Sequence, residues 1–382
     1  MSDRGPGAGT ATAVPPAAGA GSYPVEDVAT RTGAAIRAAG TPSDARAVWR
    51  ALGGHGLLDG AGPERLPALL GVLDEHCPVG VVLSVCVQVA SALPLLREHA
   101  EAVDGGPVSA VHRAAARGAA TLALAATDRA GSGSDLMNLG TTAQLNGDDV
   151  ILDGGKRWIT NATTADHALV LARHRPQPHF TSFVWVLAPI EAPGVRVTAT
   201  EDDLLPGAGL GDIEFDGVRL DRSHLIGRAG RGMVNFARHI TTERYAGGVW
   251  AAAICRRVLA DTQRRLAARP LGAGHAWDNA AIRERFARCL VESWRIGAAC
   301  AAYRDSPDPM VASMLLKTSV AESLDLVLGE CGRLLGADAY GDAGLARLRA
   351  ATAMFATAGG ATGAMLAGIA DHAGDLLGRR PW

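Results

Sequence analysis

Excess charge of either sign is the first thing this 382-residue sequence lacks, since 37 lysines and arginines stand against 39 acids for a formal net charge of -2. A chain so balanced has no electrostatic reason to seek nucleic acid or an anionic membrane surface. Aromatic residues are scarce at 4%. The six cysteines, Cys77, Cys86, Cys255, Cys289, Cys300 and Cys331, form no Cys-x-x-Cys pair and fall mostly inside apolar helical patterns. They read as reduced core thiols, which argues against a disulfide framework and for a cytoplasmic location. The sequence has no Gly-x-Ser-x-Gly elbow and no His or Cys cluster at metal-ligand spacing, so no metal is expected. Its "GPGAGT" and "GAGLGD" segments lack the Lys-Ser/Thr or strand-to-helix setting of a phosphate loop. Apolar runs such as Val79 to Ala90 are interrupted well short of the roughly 20 residues of a membrane span, so no membrane association is expected.

What is present divides into zones. The length exceeds a usual single core, so two or three subdomains are expected. Residues 1–22 are Gly, Ala, Pro and Thr with little to pack, and read as a disordered tail. Residues 23–118 space apolar side chains three and four apart, as in "SDARAVWRALGGHGLL" and "LPALLGVLDEHC", and predict a helical domain. Over 119–230 the period drops to two in "HALVLARH" and "TSFVWVLAP", and Asn146-Gly147 between alternating runs predicts a hairpin. Residues 231–382 return to long helical patterns, broken at Arg269 to Gly274 and Ser306 to Pro309. The expected class is α+β, a helical domain, a β-barrel or sandwich, then a helical bundle.

One stretch stands out in a chain so poor in aromatics: "DGGKRWITNA", which sets Trp158 and Thr160 two residues apart. On the tripeptide alone Trp158 reads more readily as a core aromatic of the barrel than as a ligand contact, and "AGSGSD" as an ordinary loop. The longer segment "TDRAGSGSDLMNLGTTAQLNGDDVILDGGKRWITNATTADHALVLAR", followed by "GDIEFDGVRLDRSHLIGRAGRGM", resembles the acyl-CoA dehydrogenase family in the order of its landmarks. The resemblance runs from about Val25 to Ile369. It implies FAD as cofactor, with Trp158 packed on the isoalloxazine, Thr160 bonding near its N5 and Thr127 at its pyrimidine edge. Two same-face residues on a strand would suit a flat ring with polar edges. Ser134 of Gly133-Ser134-Asp135 matches the serine beside the substrate thioester.

The same resemblance implies a carboxylate base for the α-proton of an acyl thioester. Its usual loop position falls on Ala358, and no acid occurs from Arg347 through Ala370. A minority of the family carries the base on the helix opening the C-terminal domain, where this chain has Glu243-Arg244. At helical spacing Glu243 shares a stripe with His239, Gly247, Trp250 and Ile254, and Gly247 would leave room for substrate. Glu243 is therefore the expected base, with Arg244 beside the substrate; alternatively it is a helix-start acid, or a partner of His239 or Arg244. Arg265 and Gly336 match positions that hold the FAD adenosine and pyrophosphate across a dimer, although the surrounding Phe, Gln and two glycines are replaced. The implied protein is a homodimer or homotetramer acting on a small acyl group carried by CoA or acyl carrier protein, in specialised biosynthesis. Competing expectations are a flavin oxidase or monooxygenase on the same fold, and a non-catalytic acyl-binding subunit.

Overall fold

The computed structural model describes residues 25–60, 62–100, 105–129, 135–201, 204–341 and 344–378. The tail expected over residues 1–22 lies outside the described residues. The chain opens with six helices, α1 (Val25–Ala39), α2 (Ala45–Gly54), α3 (Leu66–His76), α4 (Val79–Val87), α5 (Leu93–Ala100) and α6 (Pro107–Ala116). Local chemistry sets their starts: the Asp44 carboxylate accepts the Arg46 and Ala47 amides ahead of α2, and prolines occupy the first turns of α3 and α6. Between α4 and α5 the helix continues as a single π-helical stretch, Gln88–Ala92. The resulting helix, Val79–Ala100, is longer than the interrupted apolar run suggested. By length and composition it could cross a membrane, but 78% of its apolar window is buried inside the protein, as befits a core helix.

The middle of the chain forms one eight-stranded mixed sheet: β1 (Leu122–Ala125), β2 (Thr142–Asn146), β3 (Asp149–Ile159), β4 (His167–Arg173), β5 (Phe183–Pro189), β6 (Val195–Ala199), β7 (Gly211–Asp221) and β8 (Leu225–Ile226). Its order is β6-β7-β3-β2-β4-β5-β8, with β1 parallel to β4. The Asn-Gly signal is met: Asn146 pairs with Asp149 across the turn, and Gly147 takes the positive φ of 59° that such a turn requires. Strand alternation then divides two cores. Leu169, Leu171, Phe183, Trp185 and Leu187 face the core shared with the helices, whereas Ala168, Val170, Ala172, Val184 and Val186 face one enclosed by the sheet.

After the sheet come α7 (Gly232–Ala268), α8 (Ala280–Arg304), α9 (Pro309–Leu335), α10 (Leu345–Thr352), α11 (Thr362–Asp371) and α12 (Ala373–Gly378). The 37 residues of α7 span about 55 Å at 1.5 Å per residue, and this helix packs against α3, α8, α9 and the π-helical turn. Its first residue fixes it to the sheet. A Cβ on Gly232 would lie 2.6 Å from the Phe183 carbonyl carbon, and the Gly232 carbonyl accepts the Trp185 indole N–H at 3.0 Å. Helix α7 therefore runs from the sheet into the bundle with one face toward the buried end of α4 and α5.

Candidate functional site

The end of β3 is built in a strained conformation. Trp158 has φ 56°, a genuine outlier for a bulky side chain, and its indole is 55% exposed. Such a backbone costs on the order of 1–3 kcal/mol and persists only where its surroundings over-determine it. Five contacts do so. The Trp158 amide donates to Asp212 Oδ1 at 3.2 Å, and the Arg157 amide donates to the Thr127 carbonyl at 3.1 Å. Three residues on, Asn161 has φ 68°, and its side chain accepts from Ser84 Oγ at 2.5 Å while donating to the Leu122 carbonyl at 3.0 Å. Beneath them Lys156, fully buried, pairs with Asp128 at 2.6 Å.

These contacts correct the simple picture of the strand. A register shift against β7 lies between Lys156 and Ile159, and β3 ends at Ile159, so regular alternation does not set Trp158 and Thr160 on one face. The reason is the bulge, which inserts a residue and re-aims the tryptophan. The Thr127 carbonyl is nonetheless bonded to the amide of Arg157, the residue before Trp158, and Thr160 is half-buried two residues beyond the indole. An exposed indole with threonines at sequence positions 127 and 160 fits a flat aromatic group with a polar rim, as an isoalloxazine is. Ser134 lies outside the described residues.

A second cluster centres on α7. Glu243 is half-buried by surface and enclosed by α4, the π-helical turn and the loop after α10. Ser91 Oγ donates to its Oε2 at 2.7 Å. Its Oε1 lies 3.8 Å from where a Cβ on Gly359 would sit, next to Ala358, where the resemblance implied a loop acid in its relatives. Burial raises the Glu243 pKa above the ordinary carboxylate value, while the Ser91 hydrogen bond and the Arg244 charge oppose that rise. Of the alternative partners, His239 faces Glu98 at 3.2 Å.

The loop at 353–360 is held by two cations. Arg244 donates from Nε to the Gly359 carbonyl at 3.0 Å and from Nη1 to Ser313 Oγ at 3.0 Å, committing these donors within the protein. Lys317 donates to the Phe355 carbonyl at 2.8 Å, and burial, helped by the Arg244 charge, lowers its pKa to about 8. The room expected at Gly247 is occupied: a Cβ there would contact Phe355 Cε1 at 3.6 Å, and the Phe355 ring also packs on Trp250 at 5.2 Å between centroids. An aromatic wall thus closes the α7 stripe one turn beyond the carboxylate.

The remaining expected residues lie apart. Gly336 ends α9 with φ 64° and borders a cavity of about 600 Å³ lined in part by Gly329, Arg333, Tyr340 and Arg349. Arg265 does not line it and pairs along its own helix with Asp261 at 2.7 Å. Sequence reasoning missed Asp128, Lys156, Ser91 and Lys317. Lys156 was the most accessible of these: counting by twos from the inward Val150 and Leu152 puts its charge on the buried face, which demands a partner.

The model of the acyl-CoA dehydrogenase middle domain matches residues 123–218, and that of the acyl-CoA dehydrogenase C-terminal domain matches residues 230–374. The acyl-CoA dehydrogenase IpdE1 of Mycobacterium tuberculosis (strain ATCC 25618 / H37Rv) is 30% identical over 159 residues, covering 41% of this chain and 40% of that protein. The short-chain specific mitochondrial acyl-CoA dehydrogenase of Homo sapiens is 33% identical over 103 residues, 27% of this chain and 25% of its own. The matched stretches thus span less than half the length of these relatives. The solved glutaryl-CoA dehydrogenase from Mycobacterium smegmatis is similar with a TM-score of 0.81 and 19% identity, over 93% of this chain and 95% of that one. The FAD complex of PigA gives 0.80 and 19%, over 92% and 97%. At such identities the solved structures show a shared fold.

Proposed function

The chain belongs to the acyl-CoA dehydrogenase family, and from that premise we propose that it is an FAD-dependent dehydrogenase of a small acyl thioester, with Glu243 as the α-proton base. One observation carries the reading: Glu243 Oε1 lies 3.8 Å from where a Cβ on Gly359 would sit, on the loop whose neighbouring Ala358 offers only a methyl group. The α C–H bond breaks with its proton passing to Glu243, the β-hydrogen leaves with both electrons as hydride, and the α,β double bond forms between them. FAD, held by Trp158, Thr127 and Thr160, supplies the hydride acceptor when bound. Enclosure of Glu243 raises its proton affinity toward what a base needs near neutral pH.

The Phe355 wall over Gly247 supports a short acyl group, carried on CoA or acyl carrier protein. On α8 the side chains of Leu290, Val291 and Trp294 are 50%, 50% and 72% exposed, an apolar face that suits a second copy in a homodimer or dimer of dimers. A cytoplasmic location fits the free cysteines, five of them buried. Ala358 also favours a second reading, a flavin oxidase or monooxygenase, whose chemistry needs no α-proton base.

The experiment is anaerobic reduction of the FAD-loaded protein by short acyl thioesters. Glu243→Gln keeps shape and removes basicity, so flavin reduction should slow by about 10² to 10⁴. Parental speed in the variant would make Glu243 structural. A parent that no thioester reduces would favour the oxygen-using reading.

A further inference from the structure

The π-helical stretch Gln88–Ala92 lies where helix Val79–Ala100 changes partners. Upstream, Ser84 bonds Asn161, and the Gln88 carboxamide oxygen accepts the Leu122 amide at 2.9 Å, both tying the helix to the sheet. In an unbroken α-helix residues 84, 88 and 91 would share one face. With the widened turn between them, Ser91 meets α7 and donates to Glu243 across 152 residues of sequence. Widened turns of this kind are frequent at functional sites. Ser91 is itself buried, with 1% of its surface exposed, so water does not compete for the hydroxyl. It has one proton and two acceptors near, Glu243 Oε2 at 2.7 Å and the His239 carbonyl at 3.5 Å, and the shorter contact takes it.

We propose that Ser91 is a positioning residue for the base: its hydroxyl fixes Glu243 Oε2 and leaves Oε1, the oxygen facing the loop, to receive the substrate proton. This rests on the reading of Glu243 as the base. A carboxylate free to rotate would present either oxygen; one anchored at a single oxygen keeps the other aimed. Because a hydroxyl can donate to the ionised carboxylate, it also favours the charged form against the burial that disfavours it.

The charged and titratable neighbours of Glu243 leave this hydrogen bond a distinct task. Arg244 follows it on α7 with two donors committed elsewhere, and Lys317 of α9, whose Cε lies 3.9 Å from the same Cβ position on Gly359, gives its ammonium to the Phe355 carbonyl. Cys86 on α4 stays a thiol, its pKa pushed up by burial and by the Glu243 charge. His239, a turn earlier on α7, is turned to Glu98 of α5. The loop at 353–360 has no ionisable side chain.

The test is Ser91→Ala, a substitution small enough for the helix to keep its packing. The Glu243 carboxyl is titrated directly, by its infrared band in difference against Glu243→Gln, in protein without substrate. Loss of a hydrogen bond to a charged group should raise the Glu243 pKa by about one to two pH units. The acid limb of flavin reduction by a thioester should move up by the same amount, and Ser91→Cys, with its weaker donor, should fall between. An unchanged carboxyl titration overturns the proposal outright. A carboxyl that shifts while the acid limb stays overturns the catalytic half alone, because Glu243 is then not the base and Ser91 makes only a core hydrogen bond.

Discussion

Replacing Asp128 by Asn tests whether the buried ion pair is what holds the strained end of β3. Lys156 has no exposed surface, and its ammonium has two acceptors, Asp128 Oδ1 at 2.6 Å and the Ala126 carbonyl at 3.1 Å. Burial lowers its pKa to about 8 against the opposing pull of Asp128. Asp128 is better supplied, since it also accepts the amides of Gly140 and Thr141 and the Thr141 hydroxyl. The two single substitutions are therefore unequal. Asp128→Asn leaves a buried ammonium without its counter-charge and turns an amide toward backbone donors, which should cost about 3–5 kcal/mol. Lys156→Met leaves a carboxylate with three donors still in place and should cost less. Urea unfolding followed by circular dichroism gives both values. A cost below about 1 kcal/mol for Asp128→Asn, or a larger cost for Lys156→Met, would refute the assignment of the pair as the anchor. Because Thr127 precedes Asp128 and Trp158 follows Lys156 by two residues, Asp128→Asn should also lower flavin retention.

Trp158→Ala should purify with less FAD and an altered visible spectrum while its circular dichroism is unchanged; undiminished flavin with the parental spectrum would show that the indole does not meet the ring. Glu243→Gln should gain stability relative to the parent as pH rises above the ordinary carboxylate value of 4.5, because a carboxyl whose folded pKa is raised contributes stability that is full below the unfolded value and is lost as pH rises through the folded one. Thermal unfolding across that range checks it, and a gap between the two proteins that stays constant with pH would contradict it.

The order of helices, sheet and helices was legible because each zone keeps one period over many residues, and the Asn146-Gly147 turn because its chemistry is local. The family was legible for the same reason, through landmarks in one contiguous segment. The left-handed Trp158 was not, since the bulge that produces it depends on β7 and on Asp212, which arrives 54 residues later in the chain. Nor was the occupant of the space beside Gly247: Phe355 belongs to a loop more than a hundred residues away, and helical spacing reports only which face is small. The π-helical turn leaves no mark in composition, because the run Val79 to Ala92 is equally compatible with an unbroken helix. Glu243 was located by subtraction, whereas the hydroxyl that restrains it could be found only in three dimensions.

With the base proposed on the helix and not on the loop, what has to be held still changes. A loop acid relies on the loop for its aim, and in this chain the loop is fixed by its backbone carbonyls, Gly359 to Arg244 and Phe355 to Lys317. Such anchoring costs two buried cations. It is indifferent to the side chain at Ala358, so the loop can be rigid without carrying the chemistry. Glu243 instead sits on a 37-residue helix docked at one end on the sheet through Gly232. That same sheet carries Trp158 and, through Asn161, grips the helix that bears Ser91. Glu243, its restraint and the exposed indole are therefore tied to one rigid frame, and, with Glu243 as the proposed base, precision between reacting groups is better kept by regular elements than by loops. On the proposed reading an acid-free loop and its two cationic anchors are compatible, because the anchors hold the wall that Phe355 forms while the helix would supply the carboxylate.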